Sequence, residues 1–179
     1  MDLAISNYVT GFLGRWPMLD RAAFFFADTT LYILVLGALI YAAIPKQQTK
    51  ERMLIFAALL TGILSRFGIT SIIRLFYSRP RPSLVIANLK PLIDLDVSQF
   101  HKSFPSGHAA FFFAFAGVIY CYHPRWGKWL FLVSTLMGLS RVFAGVHWFS
   151  DIVGGAVVGM GSAWLMYHFV LRRSRWLTS

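Results

Sequence analysis

The chain has 179 residues, of which 57% are hydrophobic and only 13% charged, and its mean hydropathy of +0.61 excludes an ordinary water-soluble domain. The net charge of +10 rests on 17 basic residues that fall in short loops, at chain ends and in one central segment, so no exposed basic face is expected for nucleic acid. With Cys121 as the only cysteine, no intrachain disulfide can form, and the length fits one integral membrane domain over residues 1–179.

The N-terminus carries Asp2 and a polar stretch from Ser6 to Tyr8, so a removable signal peptide is not expected. Leu3 to Trp16 sets Leu3, Ile5, Val9, Phe12 and Leu13 among polar residues and glycines, the pattern of a surface-lying amphipathic helix or a marginal extra span. A bilayer core of about 30 Å takes roughly 20 apolar residues as helix. Arg21 to Ile44 is the first clear span, with Asp28 near one end and Pro45 after it; Met53 to Tyr77, carrying Arg66 and Arg74, is the second. Ser78 to Pro105 contains Pro80, Pro82, Pro91 and Pro105 and should be irregular, lying over the membrane face rather than in lipid. Ser106 to Tyr122 and Trp129 to Phe143 are shorter spans that flanking Trp and Tyr complete. Phe149 to Leu171 is full length, and its Gly154, Gly155, Gly159 and Gly161 permit close helix packing or a groove for a lipid chain. The expected fold class is all-α: a polytopic membrane helix bundle with five clear transmembrane helices plus an N-terminal amphipathic helix or sixth span.

Alternation puts Lys46, Lys50 and Arg52, then Arg125 and Lys128, and the tail residues Arg172, Arg173 and Arg175 on one side, which the positive-inside rule makes cytoplasmic, with the C-terminus. The 78–105 segment and the turn from Arg141 to Trp148 then face outward together. Arg79, Arg81, Lys90 and Lys102 in that outer segment run against the rule, as expected if their charge binds an anionic group.

Three polar clusters sit at helix ends on this outer side. In Arg74-Leu-Phe-Tyr-Ser-Arg-Pro-Arg81-Pro82, a helix breaking at the prolines brings Arg74, Arg79 and Arg81 near one another. Their forks suit phosphate oxygens, although a basic anchor for lipid headgroups reads equally well. Phe104-Pro105-Ser106-Gly107-His108 opens an apolar helix whose free N–H groups and dipole favour an anion; Ser106 as a plain N-cap and His108 as an interfacial histidine are the bland alternatives. In Ser140-Arg141-Val-Phe-Ala-Gly-Val-His147-Trp-Phe-Ser-Asp151, His147 and Asp151 are four apart, so the carboxylate can orient the ring and raise the nucleophilicity of its other nitrogen. Together these supply charge stabilisation, an acid and a nucleophile for phosphoryl transfer. No metal and no cofactor is expected, since Asp94 and Asp96 are the only further acidic pair outside and the histidines lack zinc-ligand spacing. Arg66 lies about two turns before Arg74, too deep for that site in a straight helix, and is conjectured to pair with Asp28.

These residues resemble the three-part signature of the type 2 phosphatidic acid phosphatase superfamily, KxxxxxxRP, PSGH and SRxxxxxHxxxD, read here as Arg74 to Pro82, Pro105 to His108 and Ser140 to Asp151. The second and third parts match in full; in the first, Arg74 stands where the family has lysine. The resemblance implies that His147 attacks phosphorus, Asp151 orients it, His108 protonates the leaving group, and Arg74, Arg81, Ser106, Gly107 and Arg141 hold the phosphate oxygens. Arg79, outside the signature, joins that set by proximity alone. The implied substrate is a lipid phosphate at the outer face of a bacterial cytoplasmic membrane. The layout is that of undecaprenyl pyrophosphate phosphatases, with phosphatidylglycerophosphate, phosphatidic acid or lipid A as alternatives and an anion transporter as the non-enzymatic one.

Overall fold

The structure, a computed structural model, describes residues 1–45 and 48–173; Lys46 and Arg175, counted above toward the orientation, lie outside the described residues. Its regular elements there are helices, joined by one isolated bridge between Arg79 and Lys102. A short α1 (Asp2–Thr10) is followed by α2 (Pro17–Ala43), α3 (Thr49–Phe76), a four-residue α4 (Pro82–Val85), α5 (Gly107–Tyr122), α6 (Pro124–Phe143) and α7 (Phe149–Phe169).

Among the described residues three stretches are long and apolar enough to cross a membrane, Pro17–Ala43, Thr49–Phe76 and Phe149–Arg173, and α5 is a shorter apolar helix. α2 and α6 each start several residues before the expected spans, at Pro17 and Pro124. Proline serves the first turn of a helix, where its missing N–H is not needed, so the helix extends back to it. α1 has nine residues, about 14 Å of helix, which is under half of a bilayer core.

α5 is the axis of the bundle. Eleven of its 16 residues are buried, against α7, α6 and α3, so its sheath rather than its own length meets the lipid. Phe111, Phe112, Phe115 and Val118 on it pack with Leu54 and Met137 as the main core. Leu36, Ile40, Phe56, Leu60 and Trp129 point outward and exposed, the inverse of a soluble domain and the arrangement that acyl chains solvate. Gly155 and Gly159 let α7 approach α5: a Cβ on either would stand 2.5 Å from a backbone oxygen, that of Ser106 or of Ala110. Packing is therefore what these glycines serve, whereas a Cβ on Gly161 would meet nothing within 4 Å.

Two helices are interrupted by a π-turn, α2 at Phe25–Thr29 and α3 at Leu64–Ile69. Such turns insert one residue into the ladder and cluster at functional sites. The 86–106 segment folds over this end of the bundle. There Leu92, Ile93 and Leu95 pack on Ala27, Ala144 and Val146, and Leu92 N–H donates to the Ala144 carbonyl at 3.1 Å. Gly145 beside it has φ +74°, a left-handed conformation that glycine adopts without steric cost.

Candidate active site

A cavity of about 510 Å³ opens where the π-turns of α2 and α3, the start of α5, the end of α6 and the 86–106 segment meet. Arg66 reaches it from the π-turn of α3, Arg74 from the last turn of that helix, Arg81 from the residue before α4, Gly107 and His108 from the first turn of α5, Arg141 from the last turn of α6, and His147 from the turn before α7. Asp28, Tyr32, Asp94, Asp96 and Lys102 complete much of the wall.

His147 is 1% exposed. Its Nδ1 lies 3.3 Å from Asp151 Oδ2 and its Nε2 lies 3.2 Å from Arg81 Nη1. The Asp151 carboxylate is held from several sides: Oδ2 accepts from Ser103 Oγ at 2.5 Å and from the Trp148 amide at 2.9 Å, and Oδ1 accepts from Arg79 Nη1 at 2.7 Å. Its place in the first turn of α7 adds the favourable end of the helix dipole. The Asp151 carbonyl in turn accepts from Ser106 N–H at 3.0 Å, which ties the starts of α5 and α7 together. Burial pushes the His147 imidazole well below its ordinary range, and Arg81, Arg141 and Arg74 push it further the same way, so the ring is neutral at pH 7. Burial, with Arg74 adding to it against the pull of Asp151, brings the Arg81 guanidinium down to about 10; it remains a cation at neutral pH.

Main-chain carbonyls aim the arginines. Arg81 donates through Nε to Gln99 O at 2.9 Å and through Nη1 to Val146 O at 2.5 Å; Arg74 Nη2 donates to Pro105 O and Arg141 Nη1 to Ala27 O, each at 2.6 Å. Among the described residues, three buried guanidinium donors of the cavity arginines have no protein partner: Arg66 Nη1, Arg74 Nε and Arg141 Nε. Each unpaired buried donor costs about 1–3 kcal/mol, more when charged, which an anion in the cavity would relieve. Among the described residues no three of His, Cys, Asp and Glu converge as a metal site.

The structure thus brings His147, His108, Gly107, Arg74, Arg81 and Arg141 to one cavity, with Asp151 directly behind His147. Two expected phosphate ligands stand elsewhere. Ser106 is fully buried and its Oγ caps the Ala109 amide at 3.4 Å, the N-cap alternative. Arg79 is not among the cavity residues; it is drawn off by carboxylates, bridging Asp151 and Asp2, the latter through Nη2 at 2.7 Å. Arg66, by contrast, reaches the cavity, because the π-turn between it and Arg74 takes up one residue. Eight α-helical steps would leave the two side chains about 80° apart, and one inserted residue cuts this to about 20°. No Arg66–Asp28 ion pair forms among the described residues, although both line the cavity. Sequence reasoning missed Ser103, Ser150 and Asp2. Asp2 accepts from Ser150 N–H at 3.1 Å and from Ser150 Oγ at 2.5 Å, contacts between residues 148 positions apart that no local pattern announces.

Residues 52–175 match the PAP2 superfamily. The chain is 30% identical over 157 residues to the bacitracin transport permease protein BcrC of Bacillus licheniformis, covering 87% of this chain and 74% of that protein. It is 29% identical over 170 residues to the undecaprenyl-diphosphatase BcrC of Bacillus subtilis, covering 94% and 84%. The crystal structure of Aquifex aeolicus LpxE shares the fold, with a TM-score of 0.67 at 24% identity over 94% of this chain and 95% of that one. The chain belongs to the PAP2 superfamily and is a membrane lipid phosphatase.

Proposed function

We propose that the chain, as one domain, removes phosphate from a lipid diphosphate at the outer face of a bacterial cytoplasmic membrane, converting undecaprenyl pyrophosphate to undecaprenyl phosphate through a phosphohistidine at His147. The observation that carries this reading is the buried ring of His147, with Nδ1 against Asp151 and Nε2 beside Arg81 in a cavity lined by Arg66, Arg74, Arg81 and Arg141. In it, Nε2 attacks phosphorus, Asp151 fixes the tautomer, and His108 at the start of α5 protonates the departing oxygen. Arg74, Arg81, Arg141 and the Gly107 amide hold the phosphoryl oxygens as charge develops on them. Water then releases phosphate from His147. Five membrane-crossing helices, α2, α3, α5, α6 and α7, with α1 lying against α6 and α7 at the same end as the site, fit the loop charges that set the site outward and the C-terminus inside. The undecaprenyl substrate follows the name of the Bacillus subtilis relative; phosphatidylglycerophosphate, phosphatidic acid and lipid A phosphate share the same reacting group.

The test is phosphate release from undecaprenyl pyrophosphate by purified protein in detergent with EDTA, run beside His147→Ala and a panel of the other lipids. Release that persists with EDTA and vanishes in His147→Ala supports the reading. A transport role is suggested by the name of the Bacillus licheniformis relative; it predicts instead that the protein's activity survives loss of His147.

A further inference from the structure

Arg66 has no part in the signature motifs, yet it carries one of the unpartnered buried donors of the cavity. Resting on the phosphatase reading above, we infer that Arg66 forms a second phosphate subsite, one that binds the phosphate left on the lipid when a diphosphate is cleaved and so sets the preference for diphosphates over monophosphates.

The π-turn rotates Arg66 onto the cavity side of α3. Its guanidinium lies over the Phe67 ring, 5.2 Å from the centroid, so the head is held. The side chain stands at the α5 end of the cavity: a Cβ built on Gly107 would be 3.3 Å from Arg66 Cγ and 3.8 Å from Arg74 Nη2. Gly107 precedes His108. In an in-line displacement the departing oxygen points away from the attacking nitrogen, toward the acid, so Arg66, whose stem passes Gly107 and which lines the same cavity as His108, is assigned to the leaving-group side.

With a diphosphate, the bond from Nε2 of His147 forms to the terminal phosphorus while the bond from that phosphorus to the bridging oxygen breaks. The electron pair stays on the bridging oxygen, which takes a proton from His108, and the lipid monophosphate departs. Charge grows on its phosphate during this step, and a guanidinium beside it stabilises it. With a lipid monophosphate the leaving group is an alcohol and carries no anion for Arg66 to meet.

The experiment compares farnesyl diphosphate with farnesyl monophosphate, which share one chain, in wild type, Arg66→Gln and Arg66→Lys. Arg66→Gln is expected to lower kcat/KM about a hundredfold for the diphosphate and under about threefold for the monophosphate, with Arg66→Lys in between. A binding arm uses the His147→Ala protein, with and without Arg66→Gln, titrated with inorganic pyrophosphate and with inorganic phosphate. Affinity for pyrophosphate should fall at least about tenfold while phosphate binding holds. Equal losses for both ligands, or no loss for either, overturn the assignment. Turnover that survives His147→Ala would sink the phosphohistidine reading instead, and the titration would still report on Arg66.

Discussion

Arg79 Nη1 donates to Asp151 Oδ1 across 2.7 Å, while Nη2 of the same guanidinium meets Asp2 at 2.7 Å. The carboxylate that faces His147 is thus backed by a cation, and that cation by the second residue of the chain. In metal sites the hydrogen-bond partners behind the ligands are worth about 10–100-fold when lost, and Arg79 stands in the same relation to the Asp151–His147 pair. Arg79→Ala is expected to lower kcat by about that factor with little change in KM, and Asp2→Asn to give a smaller loss of the same kind. A rise in KM with kcat unchanged would mean that Arg79 binds the substrate phosphate after all.

Asp151→Asn keeps the shape of the site but replaces an acceptor of four donors. Turnover should fall about 10²–10⁴-fold while binding of inorganic phosphate is kept. Steady-state kinetics with a parallel titration separates the two, and an unchanged kcat would remove Asp151 from the mechanism.

The depressed imidazole of His147 has two consequences for pH dependence. The unfolded chain takes up a proton on this histidine below about pH 6.5 and the folded chain does not, so stability is lost as pH falls through that value. The unfolding midpoint in detergent should drop from pH 7 to pH 5, and less steeply in His147→Gln. If His147 is the nucleophile as proposed, its neutral ring puts the acid limb of kcat/KM attributable to it below about pH 6.5. A limb above that value that disappears in a phosphate-binding assay would contradict the neutral ring.

Gly155→Leu should destabilise the protein by about 1–3 kcal/mol, since its side chain must displace the Ser106 backbone or separate two helices. Because Ser106 N–H is bonded to the Asp151 carbonyl, activity should fall along with stability. Gly161→Ala meets open space and should be neutral or gain up to about 1 kcal/mol in helix propensity. Thermal unfolding of the two variants side by side checks the contrast.

What the sequence determined by itself follows from interactions that are local or repeated. Hydropathy located the helices because a membrane-crossing segment must satisfy its own backbone and show apolar side chains along its length. The His147–Asp151 pair was legible from its four-residue spacing, although His147 stands in the turn before α7 rather than on the helix, and the cluster around Gly107 because a helix start is marked by its own residues. The helix starts at Pro17 and Pro124 were legible too, had proline been weighted above hydropathy. The destination of Arg79, the second carboxylate at Asp2, the buried Ser103 and the rotation of Arg66 were decided only in three dimensions. Arg79 has two carboxylates and the arginine-lined cavity within chain reach, and the helix packing that puts α1 beside the start of α7 chooses between them. A single residue absorbed in a π-turn leaves no mark on hydropathy, yet it turns every later side chain of that helix by about 100°, which brings Arg66 and Arg74 to the same cavity.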